Sequence, residues 1–214
     1  MKRKILLALF AGCIIITAVM CSDAANGSSP RPAPKKEKKN NAVLPRILQA
    51  RAASLKDYLH KGGYNEETCF FIDMGISPGK KRFFVYDIKT GTILNSGLVA
   101  HGSGGGSDFE QPKFSNSVGS NCTSLGKYKI GKSYSGQFGL AYKLHGLDKT
   151  NSNAFARFVV LHAHECVPEG EIYPESICMS WGCPTVAPAF LQQLARHIDA
   201  SGKPILLEIY KGDE

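Results

Sequence analysis

The feature that most constrains the fold is a succession of short apolar segments, separated by turns, that runs from Cys69 to Tyr210. These segments are rich in β-branched and aromatic residues and are bounded by glycine or polar residues, which is typical of β-strands. The predicted strands cover residues 69–74, 82–88, 92–100, 126–130, 140–145, 158–164 and 205–210. Strands outnumber helices, so the pattern predicts a mainly β (α+β) domain, built as a sandwich or a barrel-like sheet.

Two helices are expected at the edge of this sheet. Leucine and isoleucine recur at helical spacing from Leu44 to Leu59, and Gly62–Gly63 supplies a stop, which predicts an amphipathic flanking helix. A second helix is predicted over Pro188–Ser201. The stretch 102–123 is rich in glycine and serine, and a loop of that length inside a compact domain is usually functional or disordered.

The first 41 residues do not resemble a folded core. Residues 1–24 combine a cationic start with an apolar run, which is typical of an export signal. Cleavage after Ala24, retention as a membrane anchor and lipidation at Cys21 all remain open, because the run is slightly long for a signal and slightly short for a span. Residues 25–41 are expected to form a disordered basic linker rich in proline and lysine. We therefore expect an exported protein of the periplasm or cell envelope, with its domain at 42–214.

The formal net charge of +8 would by itself suggest a nucleic-acid partner, but the charge is unevenly distributed along the chain. The first 41 residues carry +6 of this charge, which leaves +2 for residues 42–214. The expected domain is nearly neutral, and this argues against nucleic-acid binding.

The densest cluster of reactive side chains lies between Arg157 and Thr185. An apolar strand delivers His162 and His164 at its end, and Cys183 follows 21 positions after His162, in a tight glycine-containing turn. A thiol nucleophile needs a base that raises its thiolate fraction and backbone N–H groups that stabilise an acyl oxyanion. The segment therefore predicts Cys183 as the nucleophile and His162 as its base, with His164 as the fallback base.

Five of the seven cysteines lie in the expected domain: Cys69, Cys122, Cys166, Cys178 and Cys183. Export permits disulfides, and an odd number leaves at least one thiol free. We expect Cys166 to pair with Cys178, which would staple the loop between the candidate base and the candidate nucleophile. Because connectivity cannot be read from a sequence, five reduced cysteines remain the alternative.

Six short motifs, together with the strand that ends in His162, resemble those of a known family. They are Val-Ala-His-Gly at 99–102, Phe-Ser-Asn at 114–116, Ser-Leu-Gly-Lys-Tyr at 124–128, Tyr-Ser-Gly at 134–136, His-Gly-Leu-Asp at 145–148 and Ser-Trp-Gly-Cys-Pro at 180–184. In this order they resemble the murein L,D-transpeptidase catalytic domain family, a branch of the YkuD-like cysteine transpeptidases. The resemblance spans roughly 71–210.

The resemblance implies an L,D-transpeptidase-like β-sandwich or barrel in which Cys183 attacks a peptidoglycan stem peptide and forms a thioester acyl-enzyme. His162 would be its base, and Ser180 and Gly182 would shape the nucleophile turn and the oxyanion site. A peptide amine resolves the intermediate in a transpeptidase and water resolves it in an L,D-carboxypeptidase, and the sequence does not choose between them. We expect stem peptides as partners, no cofactor or metal, and a monomer.

Six residues are expected to bind or frame the substrate. The resemblance places the glycine-rich loop near the cleft, and its first residues match a family signature. Other members of the set have a structural alternative, because Ser115 and Asn116 are also suited to capping a turn and Trp181 to plugging a core. The set is His101, Gly102, Ser115, Asn116, Trp181 and His164.

One departure from the family pattern concerns substrate anchoring. Better-known members of the wider superfamily carry an arginine two residues after the cysteine, and this chain has Thr185 there. Anchoring by that arginine is absent, which leaves cross-linking, trimming and exchange open as reactions.

Two functions from other classes are also compatible with the sequence. His162, His164 and Cys166 would point the same way if their strand continued, which is ligand-like spacing for zinc. A zinc-dependent wall peptidase is therefore one alternative. A non-catalytic peptidoglycan-binding module is the other, and its function would survive the loss of Cys183.

Overall fold

The computed structural model describes residues 43–212. The signal or anchor predicted for 1–24 and the linker predicted for 25–41 lie outside the described residues. Within 43–212 the elements are α1 (Val43–Gly62), β1 (Thr68–Asp73), β2 (Phe83–Asp87), β3 (Thr92–Gly97), β4 (Val99–Ala100), β5 (Gly126–Gly136), β6 (Gly139–Gly146), β7 (Val160–Ala163), β8 (Thr185–Val186), α2 (Pro188–Asp199) and β9 (Leu206–Tyr210). Neither of these two helices is long and apolar enough to cross a membrane.

The nine described strands form one sheet in the order β3-β2-β1-β9-β5-β6-β7-β8-β4. The pairs β1–β9 and β7–β8 are parallel, and the others are antiparallel. Strands β3 and β4 end the order on opposite sides, yet only Leu98 separates them along the chain. The sheet must therefore curl until its two ends meet, which gives the nearly closed, barrel-like form expected from the sequence.

Both faces of the central strands are buried, because α1 packs on one face and the main core, which includes α2, packs on the other. Phe70 and Ile72 of β1 belong to the main core, which also takes in Phe190 and Leu194 of α2. The alternate residue Phe71 packs on the other face, in the cluster formed with α1. Side chains of a strand alternate between faces, so double burial explains why β1 is apolar without interruption.

The predicted and observed elements differ at four places, the first being β5, which runs to Gly136 and not to the predicted residue 130. The predicted strand 92–100 is divided at Leu98 into β3 and β4. The predicted strand 158–164 is observed only from Val160 to Ala163, because Phe158 adopts a left-handed backbone with φ of 55° that cannot continue a strand. The two-residue strand β8 was not predicted, and its brevity leaves no periodicity to detect.

The glycine-rich stretch 102–123 forms no strand longer than a single bridge. Gly102 pairs with Ser180, and Phe114 pairs with Thr123. The start of the stretch is also held on both sides of Gly102, since the Ser180 N–H donates to the carbonyl of His101 at 2.8 Å and the Ser103 N–H donates to the carbonyl of Ser180 at 2.9 Å. It is therefore an ordered loop laid against the segment that carries Cys183.

Candidate active site

The parallel pair β7–β8 brings the two predicted catalytic residues together. His162 is paired with Thr185 in the register of these strands. Counting back two residues on each strand places Val160 opposite Cys183, and the Val160 N–H donates to the Cys183 Sγ at 3.4 Å. Strand pairing therefore brings His162 and Cys183, the predicted base and nucleophile, within two residue positions of each other, and no hydrogen bond joins their side chains.

The Cys183 thiol lies in a partly buried position against the backbone that precedes β7. In addition to accepting from Val160, its Sγ donates to the Phe158 carbonyl at 3.8 Å. Burial raises the pKa of the Cys183 thiol, while the Val160 N–H and the nearby Arg157 charge act in the opposite direction. In the unliganded site the sulfur is therefore a thiol at neutral pH.

The His162 ring is held by both of its nitrogens. Nδ1 lies 3.1 Å from the Ala163 carbonyl, and Nε2 lies 3.0 Å from the Thr185 hydroxyl. A carbonyl only accepts, so Nδ1 carries the hydrogen and Nε2 accepts from Thr185. Burial lowers the pKa of His162, and the neighbouring His164 adds to this shift. The ring is consequently a neutral imidazole whose basic nitrogen is Nε2.

The turn before the cysteine is closed by Ser180. Its hydroxyl donates to the Cys183 carbonyl at 2.7 Å and accepts from the Gly182 N–H at 3.1 Å. Gly182 has φ of 105°, and a Cβ built there would lie 2.7 Å from the carbonyl oxygen of Cys122. Only glycine fits this backbone without strain, so Ser180 and Gly182 shape the turn.

A cleft of about 550 Å³ contains both predicted catalytic side chains. The tip of the β5–β6 hairpin borders it, and the Phe138 ring stacks on His162 with centroids 5.3 Å apart. Phe138 also meets His164 edge to face at 5.4 Å. Three aromatic residues on the lining are more than half exposed: Phe138, Phe158 and Trp181. The cleft thus has an apolar rim above a thiol and an imidazole.

The predicted disulfide between Cys166 and Cys178 is confirmed, and both cysteines line the cleft. Cys69, Cys122 and Cys183 are free. Since the sulfur of Cys166 is bonded to another sulfur, it is not a thiolate that can bind zinc. The zinc alternative through His162, His164 and Cys166 therefore loses its third ligand, and residues 43–212 hold no other group of three metal-ligating side chains.

The residues predicted to bind substrate fall into two groups. Trp181 and His164 line the cleft. His101 does not: its ring is 1% exposed, with Nδ1 accepting from Arg82 at 3.0 Å and Nε2 donating to the Asp108 carbonyl at 2.8 Å. These contacts anchor the glycine-rich loop to the core.

The remaining three predicted substrate contacts also lie outside the cleft lining. Gly102 bridges to Ser180, so it supports the nucleophile turn through the backbone. The Ser115 carbonyl accepts a hydrogen bond from Arg157 Nη1 at 2.9 Å. Asn116 donates to the Lys149 carbonyl at 3.0 Å, which ties two loops together.

Several lining residues were not among the predicted site residues, and three of them bear on the histidine or the cysteine. Phe138 lies in a hairpin tip between two predicted strands, and a single exposed phenylalanine gives no signal of function. Thr185 was considered only as a departure from the family, although it bonds the base. Arg157 is a lone cation before a strand, and nothing in its neighbourhood in the sequence marks it.

A family model for the L,D-transpeptidase catalytic domain (YkuD_2) matches residues 39–206, which is most of the chain. The chain therefore belongs to the L,D-transpeptidase catalytic domain family. This agrees with the resemblance of its motifs. No curated protein matches it.

The solved structures to which the chain is similar share little sequence with it. The avibactam carbamoyl enzyme of Ldtfm is 13% identical with a TM-score of 0.43, over 70% of this chain and 51% of that one. An L,D-transpeptidase from Xylanimonas cellulosilytica is 11% identical with a TM-score of 0.39, over 72% and 68%. The helical cell shape determining protein Pgp2 from Campylobacter jejuni is 10% identical with a TM-score of 0.40, over 79% and 56%. The chain spans between about half and two thirds of these proteins.

Proposed function

We propose that the protein is a cysteine L,D-transpeptidase that acts on peptidoglycan stem peptides through a thioester on Cys183. The observation that carries the proposal is the pairing of β7 with β8, which places a thiol and a neutral imidazole in one cleft. Membership of the L,D-transpeptidase catalytic domain family supplies the reaction class.

The first half-reaction would transfer the donor acyl group to sulfur. The Cys183 Sγ attacks the carbonyl carbon of the scissile amide while His162 Nε2 accepts the thiol proton. Backbone N–H groups at the nucleophile turn would stabilise the resulting oxyanion. The carbon–nitrogen bond then breaks, and the imidazolium returns the proton to the leaving amine.

The second half-reaction would reverse these roles. An acceptor amine attacks the thioester carbon and gives its proton to His162, and the carbon–sulfur bond breaks to regenerate the thiol. Water in place of the amine would give hydrolysis, the reaction of a carboxypeptidase. Incubation with a disaccharide tetrapeptide, with and without an added amine acceptor, separates the two, because the products differ in mass.

The protonation states support general-base catalysis over a preformed thiolate. Burial raises the pKa of Cys183 and lowers that of His162, so both groups are neutral in the free site. Nε2 must exchange its Thr185 partner for the thiol proton as the substrate enters. Substrate binding would thereby start the proton transfer.

The decisive measurement is the intact mass of the purified protein after incubation with a carbapenem-type acylating agent. We expect one adduct on the wild type and none on Cys183→Ala. Cys122→Ala, which removes another free cysteine and keeps Cys183, is the matched control. An adduct that persists on Cys183→Ala would contradict the assigned nucleophile.

We also propose that the enzyme works outside the cytoplasm. The export-type start of the sequence supports this, and so does a disulfide in the cleft, because such bonds persist in oxidising compartments. Fractionation of cells that produce the full chain, with detection in the envelope fraction, tests the location.

A further inference from the structure

Arg157 is the one permanently charged side chain on the described lining of the cleft. Both terminal nitrogens of its guanidinium bond the segment 115–124. Nη1 donates to the Ser115 carbonyl at 2.9 Å and to the Ser124 hydroxyl at 3.1 Å. Nη2 donates to the Cys122 carbonyl at 2.5 Å and to the Ser120 hydroxyl at 3.3 Å.

The same guanidinium touches the nucleophile turn. A Cβ built on Gly182 would lie 3.2 Å from Arg157 Nη2 and 2.7 Å from the Cys122 carbonyl oxygen that this nitrogen binds. Arg157 thus holds the 115–124 segment directly beside the turn that carries Cys183. The fork of a guanidinium, with donors fixed in one plane, suits this task better than an ammonium group.

The position also puts a permanent positive charge near the sulfur. The charge of Arg157 opposes the effect of burial on the pKa of Cys183. Because its four Nη hydrogens are all donated to the protein, the side chain has none of them left for a substrate carboxylate. Its role is therefore separate from the anchoring role of the arginine that Thr185 replaces.

We propose, on the basis of the transpeptidase function above, that Arg157 is a positioning residue: it clamps the 115–124 segment onto the nucleophile turn and stabilises the Cys183 thiolate as it forms. The clamp and the charge are two separable contributions of one side chain. Arginine to lysine keeps the charge and loses the fork, whereas arginine to glutamine loses the charge.

The test measures alkylation of Cys183 by iodoacetamide against pH, in the wild type, Arg157→Gln and Arg157→Lys. Four other titratable side chains line the cleft with Cys183 or interact with it: His162 and His164 at the end of β7, and Tyr134 and Tyr128 of β5. Burial raises the pKa of Tyr128 to about 12. All four are unchanged in every variant, so a difference between profiles reports the guanidinium. Arg196→Gln, on the exposed side of α2, is the matched control.

We expect the alkylation midpoint to rise by about one pH unit in Arg157→Gln, because this variant removes a neighbouring positive charge that lowers the pKa of the Cys183 thiol. Arg157→Lys should keep the midpoint and slow acylation by the carbapenem about tenfold, since the turn loses its clamp. Arg196→Gln should match the wild type in both.

Coincident profiles for Arg157→Gln and the wild type would overturn the proposal, and so would an equal shift in Arg196→Gln. If Arg157→Gln does not fold, the lysine variant decides: unchanged acylation by Arg157→Lys at an unchanged midpoint would reject the clamp. Failure of the transpeptidase function is distinguishable, because it removes the wild-type carbapenem adduct and leaves the alkylation profiles intact.

Discussion

Single residues in the nucleophile turn set the geometry on which the site depends, and Gly182 is the least replaceable of them. Its positive φ and its approach to the Cys122 carbonyl both exclude a side chain. We expect Gly182→Ala to lower the free energy of unfolding by about 2 kcal/mol and to slow acylation of Cys183 at least tenfold. Urea unfolding and intact-mass time courses measure the two effects.

The matched control is Gly170→Ala in the loop that follows β7. A Cβ at Gly170 meets nothing within 4 Å, and its φ is not in the left-handed region. This variant should unfold and react like the wild type. Equal losses of stability and of acylation rate in both variants would mean that the turn does not specifically require glycine at position 182.

The neutral pair of Cys183 and His162 gives a specific pH dependence. Because the imidazole pKa is lowered, the base stays unprotonated down to pH values below the ordinary 6.5. Because the thiol pKa is raised, direct thiolate reactivity develops only above the ordinary 9.0. We expect acylation by the carbapenem to hold a plateau between these values, while simple alkylation still climbs above pH 9.0.

His162→Ala tests the source of that plateau. Removing a general base costs about 10²- to 10⁴-fold in rate, so acylation should fall by at least 10²-fold and follow the thiolate fraction alone. His164→Ala should retain the plateau. Loss of the plateau only in His164→Ala would transfer the role of base to that residue.

At the scale of elements, the β5–β6 hairpin controls the environment of the base. Phe138 covers His162, and its removal would expose the imidazole to water, so we expect Phe138→Ala to raise the pKa of His162. Phe155 stacks on His145 with the same centroid distance of 5.3 Å, outside the cleft lining, which makes Phe155→Ala a matched control. Titration of the imidazole proton signals by NMR measures both.

Phe138→Ala should shift the titration of His162 and leave His145 unchanged, whereas Phe155→Ala should shift His145 and leave His162 unchanged. A rise for His162 in Phe155→Ala, or none in Phe138→Ala, would show that the hairpin does not set the solvation of the base.

The loop closed by the Cys166–Cys178 disulfide is a second element that borders the cleft. Cys166 and Cys178 are 12 positions apart, and closing a loop of that size stabilises a fold by about 3 kcal/mol in the chain-entropy estimate. We expect a domain comprising residues 42–214 to show three free thiols when denatured without reductant, and to unfold at lower urea concentration when Cys166 and Cys178 are both changed to serine. Five free thiols would contradict the bond.

The sequence predicted the elements better than it predicted the side chains around the sulfur. Alternation and capping depend on neighbours in the chain, so α1, α2 and most strands follow from local pattern. Arg157 and Phe138 reach Cys183 and His162 only through tertiary contacts, which no spacing encodes. His101 shows the reverse error, because a histidine in a family motif was expected at the cleft and is buried against Arg82 instead.

At the scale of the whole molecule, the attachment of α1 depends on Arg51. Its guanidinium lies 3.5 Å from the centroid of the Tyr210 ring, 3.8 Å from Glu208 and 2.8 Å from the Gly212 carbonyl. Burial raises the pKa of Glu208, and Arg51 opposes that shift. A desolvated cation over an aromatic ring and a charged hydrogen bond each contribute on the order of 2 kcal/mol.

We therefore expect Arg51→Met to destabilise the protein by about 2 kcal/mol in urea unfolding. Arg46 lies exposed on the same helix, so Arg46→Met should change the free energy of unfolding by less than about 0.5 kcal/mol. Similar losses in both variants would mean that helix propensity, and not the contact with β9, accounts for the effect.

The central place of β9 has a consequence for how the chain is made. Leu207 pairs with Phe70 on one side and with Tyr128 on the other, so β9, which follows the eight other described strands in the chain, joins β3-β2-β1 to the rest of the sheet. The two halves of the sheet therefore cannot join in a nascent chain until residues 206–210 have been synthesised. Pairing across so many intervening residues is slow, and the unjoined edges of β1 and β5 would be open to association in the meantime. Premature termination before β9 should yield aggregated protein, not a smaller folded domain.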